Sequence, residues 1–390
     1  MPVFSHYSIH LFKRQWQRTK SALHCRAECA TIECGFARTR CGPHDNLPSK
    51  KAFFMETSRR DARFDNLKGI LIFLVVFGHL LELVGGPAAA WLYRLIYSFH
   101  MPVFVFCSGW FARFDAARFF RRLLYPYLVY QTLYLLFDRL VLHGDAPLQY
   151  TTPYWLLWYL FSMMLWTLLL PLIDGAKSPK AALLSCLAAA LASGFDPSIG
   201  YSMSLSRTLV LLPFFAAGHL AAGGGLRGLL PQLPRRGVIA ALSGWIALAG
   251  TLLWLRRGVV RSVWFYASRS YEGAHYDPEL RVLLLATSAA WIALLLLIVP
   301  KQPLPLVAAL GQYTLPVFLV HGFFVRSLRL LRPSLPPLAG IRLAILVALL
   351  LCAVLGNRFT AALLRPTFCA PQLSRPVPGL QKNVAKRPAR

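Results

Sequence analysis

Residues 64–84 read FDNLKGILIFLVVFGHLLELV, an apolar run long enough to cross a bilayer that nonetheless carries ionisable side chains. At ~1.5 Å rise and ~3.6 residues per turn, Asp65, Lys68, Ile72, Val75, His79 and Glu82 fall on one helical stripe. Lys68 and His79 therefore face the same way, roughly 16 Å apart along the axis. Glu82 follows His79 by one turn, close enough to orient the imidazole or take up its proton. A charge at mid-bilayer costs between about 2.5 and more than 10 kcal/mol unless it faces a polar cavity. The stripe predicts a cavity against this helix.

The rest of the chain puts that helix in company. Of 390 residues, 56% are hydrophobic and only 15% charged, where a soluble chain carries nearer a quarter charged. Apolar blocks near twenty residues long recur throughout, which predicts an all-α, polytopic transmembrane helical bundle of about ten spans. The blocks lie at 67–84, 91–111, 123–142, 154–173, 181–194, 207–224, 238–255, 282–299, 305–325 and 341–356, the fifth being short for a span. A net charge of +27 suggests nucleic acid at first sight, but Lys and Arg gather in short inter-helix segments and both tails. Positive-inside bias accounts for that pattern without a nucleic-acid partner.

With the N-terminus inside, the segment ARFDAARFFRR after the second span is cytoplasmic, as are Lys177 and Lys180, and Arg227, Arg235 and Arg236. The opposite loops HGDAPLQYTT and GFDPSIGYSMSLS hold no Lys or Arg. Two outer segments break the rule, one with Arg256, Arg257, Arg261, Arg269 and Arg281, the other with Arg326, Arg329 and Arg332. Either the span count fails near the end of the chain, or these arginines face an anionic ligand.

Residues 1–58 form a basic, cysteine-containing extension predicted to be disordered, followed by a membrane domain over 59–356 and a basic cytoplasmic tail over 357–390. Cys25, Cys29, Cys34 and Cys41 match no common zinc spacing, so no metal site is expected. Met55 opens a natural short leader, METSRRDARFDNLKG, which makes residues 1–54 dispensable in this reading, and no signal peptide is visible. Inside the membrane domain, His100 stands beside Pro102 in LIYSFHMPVFVFCSGWF, where the proline loosens the helix and frees carbonyls that a cavity can accommodate. Ser108-Gly109 allows close helix approach. LGQYTLPVFLVHGFF brings His321 to the same half of the membrane as His79. Three buried histidines are hard to explain by packing alone.

The run DNLKGILIFLVVFGHLLE resembles the first-helix signature of the integral membrane acyltransferase family called acyltransferase 3, and within it the fucose 4-O-acetylase-like sugar O-acetyltransferase branch. FHMPVFVFCSGWF, FFRRLLYPYLVY, SRTLVLLPFFAAGHL and LGQYTLPVFLVHG resemble four later motifs, in order, over residues 60 to 356. Many members carry Arg where Lys68 stands, and Tyr where Phe318 stands. The resemblance implies acyl transfer, usually acetyl, from cytoplasmic acyl-CoA to a hydroxyl of a sugar or membrane glycan, in a multi-pass protein of the inner (plasma) membrane. Acetyl-CoA is then a donor substrate, with no permanently bound cofactor, and the partners are the bilayer, acyl-CoA and a glycan acceptor.

The residues fit that chemistry. A sugar hydroxyl is a poor nucleophile, and a histidine near neutral pKa can take its proton as it attacks a thioester. His79, Glu82, His100 and His321 are the catalytic candidates, Glu82 as the group that fixes the His79 tautomer. Lys68, Asp65, Arg118, Arg121 and Arg122 are the candidates for the donor site, the cations by charge-assisted contact with CoA phosphates. Direct transfer and an acyl-histidine intermediate stay open. A proton-coupled transporter is the alternative, since it too needs His, Glu and Lys in cavities. No internal repeat pairs the first five spans with the last five, which weighs against it.

Overall fold

The computed structural model describes residues 62–226, 234–331 and 336–370. The N-terminal extension with its four cysteines, and the tail beyond residue 370, lie outside these. Among the described residues every regular element is helical. The first is α1, Arg63–Leu81, which carries the Lys68–His79 stripe; Glu82 is its C-cap. It is followed by α2 (Pro87–Tyr97), α3 (His100–Phe111), α4 (Tyr125–Leu140), α5 (Trp158–Asp174), α6 (Pro179–Ala192) and α7 (Leu205–Ala222). The chain continues through α8 (Arg235–Leu255), α9 (Pro278–Ile298), α10 (Pro305–Gln312), α11 (Thr314–Leu331), α12 (Pro337–Leu355) and α13 (Arg358–Phe368).

Among the described residues, seven helices are long and apolar enough to cross a membrane: α1, α5, α7, α8, α9, α11 and α12, with α5 and α7 extended by their leading 3₁₀ turns. These seven do not confirm the expected count of about ten spans, since some of the expected apolar blocks are divided or short, and proline marks the divisions. The second expected span divides into α2 and α3 at Ser98-Phe99. Pro102 has no N–H to give the carbonyl four residues back, and its ring crowds that position. The residue concerned is Ser98, whose freed carbonyl instead accepts the Ser288 hydroxyl at 2.7 Å. The ninth divides into α10 and α11 at Tyr313, and Pro316 stands four residues after Gln312, the last of α10. At the head of α4, Pro126 likewise leaves the Arg122 carbonyl without its helical donor, and Phe120–Leu124 relaxes into one π turn. The fifth expected span is the 14-residue α6.

The bundle is held at its centre by backbone approaching backbone. Gly109 of α3 lies against the Phe215 backbone of α7, and Gly218 of α7 against the Phe106 backbone of α3. Any side chain at either position would meet a main-chain atom, so small residues set the α3–α7 distance. Short polar groups tie α5 to α7 as well. Ser162 and Thr208 share a hydrogen bond at 2.7 Å, and Trp166 Nε1 donates to the Thr208 carbonyl at 2.8 Å. α8 buries only Ala249 and exposes Trp245, Leu248, Leu252 and Trp254. In a bilayer, such a face meets lipid at no cost. The start of the expected tail is ordered: α13 packs on α4, where Tyr125 donates to the Pro366 carbonyl at 2.7 Å and Tyr130 bonds Thr367 at 2.9 Å.

Candidate active site

The stripe along α1 opens on two cavities, one at each end. The cavity at the C-terminal end has a volume of about 320 Å³, with His79, Glu82, Tyr97, His100, Trp155 and Arg207 among its walls. His79 Nδ1 lies 3.0 Å from Glu82 Oε1. An ionised carboxylate can only accept, so Nδ1 carries a proton, and in the neutral imidazole Nε2 keeps its lone pair. The Tyr97 hydroxyl donates to the same carboxylate oxygen at 3.3 Å and stands 3.2 Å from Nδ1. Glu82 Oε2 accepts from Arg329 Nη2 at 3.1 Å. The Tyr93 hydroxyl donates to Tyr266 at 2.7 Å and lies 3.5 Å from Glu82. Burial holds the Tyr266 phenol above its ordinary value, so it remains a neutral hydroxyl in this chain of contacts. Trp155 lies edge-on to the imidazole, with ring centroids 4.6 Å apart. His79 is thus fixed in one tautomer and one orientation by groups from α1, α2 and the turn before α5.

The other two histidines differ. His100 lines the cavity and donates from Nδ1 to the Ile96 carbonyl at 2.8 Å, which leaves Nε2 an acceptor. His321 does not line the cavity. Its ring stacks on His79 at 5.5 Å, its Nδ1 donates to the Val317 carbonyl at 2.8 Å, and its buried Nε2 has no hydrogen-bond partner among the described residues.

The second cavity, of about 290 Å³, sits at the N-terminal end of the stripe, and its walls include Lys68, Ser108, Arg113, Arg118 and Arg122. Lys68 Nζ pairs with Asp65 at 3.0 Å and lies 5.6 Å from the Phe111 ring centroid. Asp65 therefore serves Lys68 and does not itself line the cavity. Arg121 turns away, its guanidinium donating to the Ala370 carbonyl at 3.3 and 3.4 Å. Asp115 caps the turn that presents Arg118, accepting from its backbone N–H at 2.9 Å. The two cavities approach each other along α3, where Met101 and Pro102 wall the first and Phe104 the second. Phe104 packs against Tyr159, which hydrogen-bonds Ser108.

Several of these groups carry no signal that the stripe could supply. Tyr93 and Tyr97 are one turn apart on α2, and a polar helical face there was open to notice. Arg113 is the first arginine of the segment ARFDAARFFRR and was open to notice there. Arg207 and Arg329 arrive from helices remote in sequence, and only the fold brings them to His79.

A family model described as an acyltransferase domain, that of the acyltransferase 3 family, matches residues 61–357. Among curated proteins, the nodulation protein NolL of Mesorhizobium japonicum is 49% identical over 59 residues, 14% of this chain and 16% of that protein. The NolL of Sinorhizobium fredii is 50% identical over 60 residues, again 14% and 16%. The chain therefore matches about a sixth of the length of these relatives. No solved structure gives a significant match.

Proposed function

The chain belongs to the acyltransferase 3 family of multi-pass membrane proteins, and from that premise we propose that it moves an acetyl or other acyl group from acyl-CoA to a hydroxyl of a sugar or membrane glycan. The observation that carries the reading is the His79–Glu82 hydrogen bond, set in one cavity whose neighbour along α3 is walled by Lys68, Arg113, Arg118 and Arg122. The acceptor enters the first cavity, and the CoA phosphates rest in the second on charge-assisted contacts. The pantetheine arm passes Phe104, about one helical turn of α3 from the His79 side.

His79 Nε2 takes the hydroxyl proton while the sugar oxygen attacks the thioester carbonyl. Glu82, already bonded to Nδ1, stabilises the imidazolium that forms, and Arg329 holds Glu82 in place. Collapse of the tetrahedral species breaks the carbon–sulfur bond, and the imidazolium returns its proton to the departing CoA sulfur. A positioned base contributes about 10²–10⁴-fold to such a step. The protein performs this chemistry in the inner (plasma) membrane, on an acceptor of the cell surface or its lipid-linked precursor.

The test is transfer by the purified chain in detergent, supplied with labelled acetyl-CoA and candidate glycans. Label esterified to a glycan hydroxyl is the expected product. A folded, monodisperse protein that neither hydrolyses nor transfers from acetyl-CoA contradicts the proposal.

A further inference from the structure

Among the arginines around the His79 cavity, most have employment. Arg281 is 2% exposed and donates to the Ala190 and Arg269 carbonyls, to Ser193 and to the Tyr276 hydroxyl, so its guanidinium is consumed in holding the 256–277 segment to α6. Arg329 pairs with Glu82. Arg207, on the first turn of α7, is different. Its Nε donates to the Tyr266 carbonyl at 3.2 Å, and its guanidinium lies over the rings of Trp158 and Tyr201 at 5.0 and 5.2 Å. Its two terminal nitrogens make no hydrogen bond and no ion pair with the described residues, and the side chain forms part of the cavity wall. Held by its Nε bond and the two ring contacts, Arg207 keeps its terminal N–H groups free to meet an occupant of the cavity.

The charge balance points the same way. Glu82 is the one carboxylate among the lining residues, and it is already matched by His79 and Arg329. Burial raises the Tyr201 phenol, yet the Ser268 hydrogen bond and the adjoining Arg207 and Arg269 bring it below its ordinary value. A guanidinium left open in a cavity whose lining cations outnumber its carboxylate suits an oxyanion.

We infer that the His79 cavity selects an acceptor sugar bearing an anionic group, a carboxylate or a phosphate, held by the open guanidinium edge of Arg207. The inference rests on the acyl-acceptor reading of this cavity and narrows the acceptor class. Tyr266 links the two parts of the site: its carbonyl positions Arg207, and its hydroxyl accepts from Tyr93 beside Glu82.

The experiment is calorimetric binding to the full chain in detergent, with methyl glucuronide, glucose-1-phosphate, neutral methyl glucoside and adenosine bisphosphate as probes. At least one anionic sugar is expected to bind about tenfold or more tighter than the glucoside, the scale of one charge-assisted bidentate contact. Whichever anion does so identifies the group as carboxylate or phosphate. Arg207→Gln should erase that margin, and Arg207→Lys should keep part of it. The inference is overturned if the wild type shows no margin, including no saturable binding of either anionic sugar, or if the margin survives Arg207→Gln. It is also overturned if adenosine bisphosphate is the probe that Arg207→Gln weakens, because the donor would then occupy this cavity. The wild-type comparison decides even where the variants fail to fold. Since binding needs no turnover, an anion preference without acetyl transfer would refute the transferase reading alone. Equal acetylation of glucoside and glucuronide, unchanged by Arg207→Gln, would refute the anion site alone.

Discussion

Glu82 accepts from side chains on three helices, His79 of α1, Tyr97 of α2 and Arg329 of α11, and this convergence sets what single substitutions should do. In the proposed mechanism Glu82 orients the imidazole and does not touch the reacting carbonyl, so Glu82→Gln should slow transfer less than His79→Ala, as measured by turnover at saturating donor and acceptor. A larger loss in Glu82→Gln would reverse the two roles. Lys68 belongs to the other end of the stripe. Lys68→Met keeps the apolar stem and removes the charge, so the KM for acetyl-CoA should rise while the acceptor KM stays nearly fixed. Lys68→Arg keeps the charge and should retain much of the activity. A rise in acceptor KM alone would put Lys68 on the acceptor side. The sequence made this pair of ends legible because helical spacing alone places Lys68, His79 and Glu82 on one face. It could not show Tyr97 or Arg329 at Glu82, 15 and 247 residues away, because such contacts are set by tertiary packing. His321, a catalytic candidate in the sequence, has its ring stacked on that of His79.

The helices divide where proline dictates. Pro102 and Pro316 each break an apolar run four residues upstream, and at Ser98 the freed carbonyl is claimed by Ser288 of α9. The proline at 102 was legible as a loosening; that it splits the run into two helices follows from the crossing partner, which no local pattern contains. The seven long helices and the shorter pieces therefore came from the same hydropathy signal, with α11 both one of the seven and the longer part of the divided ninth block. Small residues govern the other element-scale feature. Gly109 meets the Phe215 carbonyl, so Gly109→Ala should force α3 from α7 and destabilise the protein by about 1–3 kcal/mol, the scale of overpacking. Thermal unfolding in detergent reads this as a lower midpoint with loss of the α3 cavity walls. An unchanged midpoint would mean that α3 and α7 slide apart freely.

At the scale of the whole molecule, the two cavities lie along one helix, roughly 16 Å from Lys68 to His79, and residues 61–357 contain both together with the family match. The expected extension over 1–58 lies outside the described residues. A chain starting at Met55 should insert and acetylate as the full chain does; loss of activity restored by added zinc would instead reveal a metal module there. The all-helical bundle was legible from composition and block length, whereas the Arg207 wall of the His79 cavity was not, since Arg207 looks like any arginine at a span end until Trp158 and Tyr201 are seen to flank it. The central claim is that His79 is the base that takes the acceptor's proton. It is tested most directly by single-turnover acetyl transfer in His79→Ala, at matched abundance and with an unfolding midpoint like that of the wild type. The account predicts a rate lower by about 10²–10⁴-fold with acetyl-CoA binding retained. Transfer near the wild-type rate would contradict it.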